Sequence, residues 1–266
     1  MVPKLIHYCW FGGGEKPAIL KRCIKSWQKV MSEYEIIEWN ESNFDINIAP
    51  LCKEAYSKKK YAFVADYCRA WALYNFGGVY LDTDVMVLKP FDEFLAYSFF
   101  SSHEFFPESF DRVRDKWVDS MGNRLESAEG NVPDFGIQSG VMLCEAGCEF
   151  MKDMLDLYNS LHLPEGLKEI VVPCLLAKSM EKYDYRYAPE DMVLEPYNIR
   201  ISAPTVFSNM TFLCKDSYAW HMYYRSWGDF SFKQLIRNRF PRIYTFCQLI
   251  IYRKVYPSLI WKLVIR

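Results

Sequence analysis

Two carboxylates two residues apart, Asp82 and Asp84, follow a short apolar run, Val79 to Leu81, and precede another, Val85 to Leu88. Residues two apart in a strand point to the same side. Both side chains can then face one hard divalent cation such as Mg²⁺ or Mn²⁺, which prefers oxygen ligands and accepts substrate phosphates in its remaining positions. Asp-x-Asp alone is a common pattern of solvated loops and turn caps. Between two hydrophobic strands it reads differently, because ionised groups there are costly unless a cation meets them. His221, in the aromatic stretch WHMYY, is a further candidate ligand, although a lone histidine is more often a hydrogen-bonded structural residue.

Other residue types in the chain suit the same chemistry. Asp66 and Arg69 lie three apart on an otherwise apolar helical stretch, where an ion pair is the plain reading and a grip on sugar hydroxyls and phosphate the functional one. Trp10 ends an apolar run beside the turn Gly12 to Gly14 and offers an indole face on which a base could stack. Trp227 precedes Gly228, a hinge pattern for a lid that excludes water. Gln138 and Ser139 stand where they could meet an acceptor.

These residues need a scaffold, and the patterning predicts α/β. Leu5 to Trp10 and Glu35 to Trp39 read as strands around a helix over Lys16 to Val30; strand, helix, strand implies parallel pairing. Tyr61 to Phe76 has apolar residues at helical spacing and is broken by Gly77 and Gly78. Ser98 to His103 reads as an edge strand, Ile137 to Cys144 as one core strand, and Cys148 to Leu161 and Lys168 to Met180 as helices. In open sheets of this class ligands gather beyond the carboxyl ends of the strands, where Trp10, Asn40 to Asn43 and Asp82 to Asp84 all fall. The stretch from Glu104 to Asp134 is a long insertion suited to acceptor specificity.

With 266 residues, 51% hydrophobic and 24% charged, the chain has the size and balance of one catalytic domain with an accessory segment. The odd number of cysteines, nine, forms no paired CxxC pattern, and the amino terminus lacks the features of a signal peptide. Both point to the cytoplasm. Net charge is close to zero, yet Phe230 to Arg266 holds eight basic residues and no acidic one, interleaved with apolar and aromatic blocks too short to span a bilayer. This divides the chain into a catalytic domain, 1–232, and a basic amphipathic segment, 233–266. That segment is either an anchor lying on an anionic membrane surface or a helical element packed on the core. Nucleic acid is disfavoured, since no known binding module accompanies the basic stretch.

KLIHYCWFGGGEKP with IKSW, the block YAFVADYCRAWALYNFGGVYLDTDV and the later WHMYYRSW together resemble glycosyltransferase family 32, DXD-containing sugar transferases of capsule and exopolysaccharide synthesis. More remotely the chain is similar to the glucosylating domain of large clostridial toxins. The resemblance implies a GT-A-like, Rossmann-related fold with a mostly parallel sheet flanked by helices, a nucleotide-sugar donor, Mn²⁺ or Mg²⁺, and transfer with retention of configuration. It places Trp10 on the nucleotide base, Asn43 on the nucleoside, Asp66 and Arg69 on donor sugar and phosphate, Asp82 on ribose or sugar and metal-bound water, and Asp84 on the metal. Ser226 and Trp227 would lie on a loop closing over the diphosphate. Ala65 stands where the toxins carry Ser, so their donor preference does not transfer, and the spacing around His221 and Ser226 also differs from theirs.

The expected chemistry is leaving-group stabilisation by the cation and Arg69, with same-face attack by the acceptor hydroxyl. UDP-sugars are favoured over GDP-sugars as donors, and a saccharide or lipid-linked oligosaccharide at the inner face of the membrane is the expected acceptor. Two alternatives have less in their favour. A metal-dependent phosphoryl hydrolase lacks the extra His and Asp ligands of a two-metal site. A non-catalytic peripheral membrane protein binding nucleotide sugar or glycan would need none of the chemistry.

Overall fold

The computed structural model describes residues 1–161, 171–224, 240–252, 254, 256–260 and 264. The chain opens with β1 (Leu5–Cys9), α1 (Ala18–Val30) and β2 (Glu35–Trp39), then α2 (Pro50–Ser57) and α3 (Tyr61–Phe76), which leads directly into β3 (Gly78–Leu81) and β4 (Val85–Val87). There follow β5 (Phe99–Phe105), the short α4 (Pro107–Phe110), β6 (Phe135–Ile137), β7 (Val141–Cys144), α5 (Glu149–Ser160) and α6 (Val172–Met180). Strands β8 (Met192–Leu194), β9 (Ile199–Ser202), β10 (Phe207–Ser208) and β11 (Ala219–His221) precede the carboxy-terminal helix α7 (Pro241–Ile251).

The main sheet runs β2-β1-β3-β7-β5-β9-β8, with β6 joined to β5. The parallel pairing expected from strand, helix, strand holds across β2, β1 and β3. Beyond β3 the sheet is mixed: β7 is antiparallel to both β3 and β5, while β9 is parallel to β5. A second sheet, β10-β11-β4, carries the strand that follows the two aspartates. Helices cover both faces. On one, Val64, Cys68 and Leu73 of α3 pack with Phe150 and Met154 of α5; on the other, Trp27 of α1 packs with Ile6, Val79 and Val85.

Three local outcomes differ from the sequence reading. The segment Ser98 to His103 is interior rather than an edge, because β5 is flanked by β7 and β9 and its side chains at Phe99 and Phe100 are fully buried. Ile137 to Cys144 is not one strand: Gln138, Ser139 and Gly140 separate β6 from β7. The Asp82 to Asp84 segment is a tight turn in which Val85 N–H donates to the Asp82 carbonyl (2.9 Å), so it is turn closure rather than strand alternation that brings the carboxylates together.

The approach to that turn depends on two glycines. Gly77 and Gly78 adopt φ of +64° and +110°. A Cβ on either would meet backbone at 2.7 Å, Ala146 N for the first and Leu5 O for the second. Only glycine ends α3 and enters β3 within one step here.

Candidate active site

Antiparallel register supplies the third side chain of the cluster. Strand β11 pairs with β4 so that His221 lies opposite Val85, one residue past Asp84. His221 Nε2 approaches Asp84 Oδ1 at 3.2 Å and Asp82 Oδ2 at 3.8 Å. One ligand atom from each of Asp82, Asp84 and His221 lies within 4.8 Å of the others. The imidazole is aimed from behind, since its Nδ1 lies 3.1 Å from Gln138 Oε1, which also accepts from Gly140 N–H at 3.0 Å. A histidine that donates through one ring nitrogen presents the other as a ligand. Asp84 is fixed in turn by Tyr224 N–H on Oδ2 at 2.6 Å.

The electrostatics show how much these groups depend on one another. Burial alone would raise the pKa of Asp84, but the charge and hydrogen bond of His221 and the Tyr224 amide hold it below the usual carboxylate range. Burial alone would lower that of His221, but Asp84 first and Asp82 next raise it to about 9. Without a metal the pair is therefore an ion pair. Two carboxylates and an imidazole, nearly enclosed, form a donor set that fits a divalent cation.

Arg69 borders this cluster, and α3 delivers it with Asp66 one turn earlier. Its Nη2 contacts Asp66 Oδ1 at 2.9 Å and Asp82 Oδ1 at 3.3 Å, its Nη1 donates to the Ser139 carbonyl at 2.9 Å, and the guanidinium lies 4.7 Å over the Tyr80 ring. Tyr80 donates to Asp82 Oδ1 at 2.9 Å. Arg69 Nε, shielded from solvent, has no acceptor among the described residues. Burial pushes Asp66 up to about 6, with Asp82 adding to the effect and Arg69 opposing it. The i,i+3 ion pair of the plain reading is present, and it is also part of the cluster.

The remaining candidates fall into three groups. Trp10 lies just past β1 and Asn43 just past β2, on the same rim as Asp82. The Trp10 indole donates to the Gly14 carbonyl at 2.6 Å and has Lys16 Nζ 5.3 Å over its ring. Both ends of the Asn43 side chain close the local turn, Nδ2 on the Glu38 carbonyl and Oδ1 on Asn40 N–H. Gln138 and Ser139, read as acceptor contacts, touch the cluster, Gln138 through His221 and Ser139 through its carbonyl to Arg69. Ser226 and Trp227 lie outside the described residues.

Sequence reasoning missed Gly140 and Glu104. A Cβ at Gly140 would lie 2.9 Å from Asp82 Oδ2 and 3.0–3.1 Å from the His221 ring, so the absence of a side chain there makes room for the cluster. Glu104 ends β5 with its Oε2 buried, among Tyr223, His221, Asp82 and Arg69. The SGV step after Gln138 was a visible signal for Gly140; Glu104 was included only as the first residue of the stretch assigned to acceptor specificity, with no role of its own.

Residues 17–101 match the family described as "Glycosyltransferase sugar-binding region containing DXD motif". Over 106 residues the chain is 34% identical to "Uncharacterized glycosyltransferase L373" of Acanthamoeba polyphaga mimivirus, a stretch that covers 38% of this chain and 42% of that protein. The chain thus spans less than half the length of this curated relative. Among solved structures it is similar to "PaToxG Glycosyltransferase" (TM-score 0.49, 14% identity, 68% of this chain and 69% of that one). It is also similar to the galactosyltransferase LgtC in complex with donor and acceptor sugar analogs (TM-score 0.42, 12% identity, 82% and 87% covered). The matched residues include Asp66, Arg69, Asp82 and Asp84, and over this stretch the chain resembles the DXD-containing sugar-binding region of glycosyltransferases.

Proposed function

We propose that the protein is a metal-dependent glycosyltransferase that moves a sugar from a nucleotide-sugar donor, UDP in preference to GDP, to a saccharide acceptor with retention of configuration. The observation that carries this reading is the meeting of Asp82, Asp84 and His221 beside Arg69, within reach of the stretch that matches DXD glycosyltransferases. Asp82, Asp84 and His221 would hold Mn²⁺ or Mg²⁺, which when bound supplies a positive charge against the departing diphosphate. Arg69 adds a second, fixed positive charge; its guanidinium is held by Asp66, Asp82 and the Ser139 carbonyl, and Nε–H is the donor left for a phosphate or sugar oxygen. Asp66 keeps that guanidinium oriented and Tyr80 supports it from below. The attacking hydroxyl enters on the face the diphosphate leaves, and a leaving phosphate oxygen takes its proton.

Trp10 would stack on the base, Asn43 would border the nucleoside, and Ser226 and Trp227 would close over the diphosphate. A lipid-linked oligosaccharide of capsule or exopolysaccharide synthesis, met at an anionic membrane surface by the basic carboxy-terminal segment, fits the exposed apolar side of α7.

The test is thermal stability against UDP, GDP and a panel of their sugars, each with Mn²⁺ and with chelator, because a ligand bound only by the native state raises the melting point. A metal-dependent rise with one nucleotide, abolished in Asp84→Asn along with turnover, is the expected result. Folded protein with no shift from any of them would refute the reading.

A further inference from the structure

The neighbourhood of the metal cluster contains one acidic side chain that the roles above leave unused. Glu104 is the penultimate residue of β5, paired in register with Gly136 of β6, where Pro173 of α6 fills the place a side chain would take. Its neighbours His103 and Phe105 turn to the opposite side: His103 contacts Tyr185 and Glu190, and Phe105 stacks on Phe135. Glu104 instead faces the cluster. Tyr223, whose ring centroid lies 4.3 Å from that of His221, is beside it, and Glu104 feels the charges of His221, Asp82 and Arg69. Its Oε2 is shielded from solvent and meets no hydrogen-bond donor among the described residues.

A buried carboxylate oxygen without a donor is costly, and native structures retain such a group where a ligand completes it. Tyr223 itself adopts φ of +48°, a left-handed conformation that a bulky aromatic residue takes up only when its surroundings force it. We propose, on the transferase reading above, that Glu104 is a sugar-contacting residue whose free carboxylate oxygen accepts a hydrogen bond from a sugar hydroxyl held beside the Asp82, Asp84 and His221 cluster, with Tyr223 fixing its orientation. Other donors do not fit as well. A second cation would sit against Arg69 and His221, and a phosphate would be repelled by the carboxylate; a neutral hydroxyl supplies the missing hydrogen without adding charge.

The experiment compares the full-length wild type with Glu104→Gln and Tyr223→Phe. Five quantities are read: melting temperature, affinity for UDP with Mn²⁺, affinity for and hydrolysis of whichever UDP-sugar shifts the wild type most, and transfer from that donor to added methyl hexosides. Glu104→Gln keeps the shape and removes the acceptor charge. It is expected to melt at or above the wild-type temperature, bind UDP with Mn²⁺ as the wild type does, and lose about ten- to a hundred-fold on the sugar-dependent readouts, the size of one hydrogen bond to a charged group. If donor affinity and hydrolysis fall, the hydroxyl belongs to the donor sugar. If they hold and only transfer to added methyl hexosides falls, it belongs to the acceptor. Tyr223→Phe is expected to lose less on the same readouts. A Glu104→Gln protein that matches the wild type throughout, or that melts lower and loses UDP binding as well, overturns the assignment and leaves the transferase reading standing. A wild type that binds no nucleotide or nucleotide sugar with Mn²⁺ overturns both.

Discussion

Asp84 and His221 satisfy one another only because Gln138 and Gly140 allow it. Gln138 Oε1 accepts from the far nitrogen of His221, and Gly140 leaves the volume into which the ring and the Asp82 carboxylate fit. Groups that orient a metal ligand from behind are worth about ten- to a hundred-fold in metal affinity. Gln138→Leu is therefore expected to weaken Mn²⁺ binding by about that factor, measured by titration calorimetry, and to lower the melting temperature of the metal-free protein by a few degrees, because Gly140 N–H and the His221 ring lose their acceptor. Gly140→Ala tests a different cause, steric rather than electronic: its methyl must push Asp82 or His221 aside, and Mn²⁺ affinity should fall by at least about tenfold although no polar group is lost. A Gly140→Ala protein with wild-type affinity would show that the cluster relaxes freely and would refute the steric cause.

The turn joining β3 to β4 passes from one sheet to the other, so the aspartates sit at a seam where two sheets diverge and neither strand continues over them. Strand β5 fixes the other side of the site and carries its own pH sensitivity through His103. This histidine is buried, with Nδ1 against the Tyr185 hydroxyl (3.1 Å) and Nε2 donating to the Glu190 carbonyl (2.9 Å). Burial lowers its pKa from 6.5 to about 4, with the Glu190 carbonyl opposing. The folded pKa lies below the unfolded one, so the unfolded chain takes up the proton first. Stability from this group is complete above pH 6.5 and is lost as pH falls toward 4, by about 3 kcal/mol in all. His103→Gln should flatten the urea-midpoint profile between those limits; an equally steep profile would place the acid sensitivity elsewhere.

At the scale of the whole molecule, the two sides of α7 differ. Its inner side packs: Leu249 is fully buried and clusters with Ile19, Leu20, Met86 and Trp220. Its outer side, at i, i+3 and i+7, shows Ile243, Phe246 and Ile250 to solvent at 60%, 39% and 50% exposure, with Ile251 at 67%. No helix among the described residues is long and apolar enough to cross a membrane. Removing the segment would strip the cover from the core at Leu249, so point substitutions are the sharper probe. Phe246→Glu with Ile250→Glu is expected to leave the melting temperature within a few degrees of wild type and to reduce sedimentation with vesicles containing phosphatidylglycerol by about tenfold or more. Undiminished sedimentation would reduce α7 to a packing element.

By itself the sequence determined whatever depends on neighbours along the chain. Apolar periodicity set α3 and the strands β1 and β2, and the glycine pair set the break at 77–78. It also marked Asp66, Arg69, Asp82 and Asp84, because each lies within twenty residues of the others in an ordered block. The tertiary structure decided what depends on groups distant in sequence: the pairing of β11 with β4 that brings His221 to Asp84 across 137 positions, the split of β6 from β7 that turns Gln138 and Gly140 into the site, and the exposure of Glu104 to it. Spacing along a chain reports side-chain direction within a strand or helix. Which strands become neighbours is set by how a sheet closes around its core, and no local pattern encodes that.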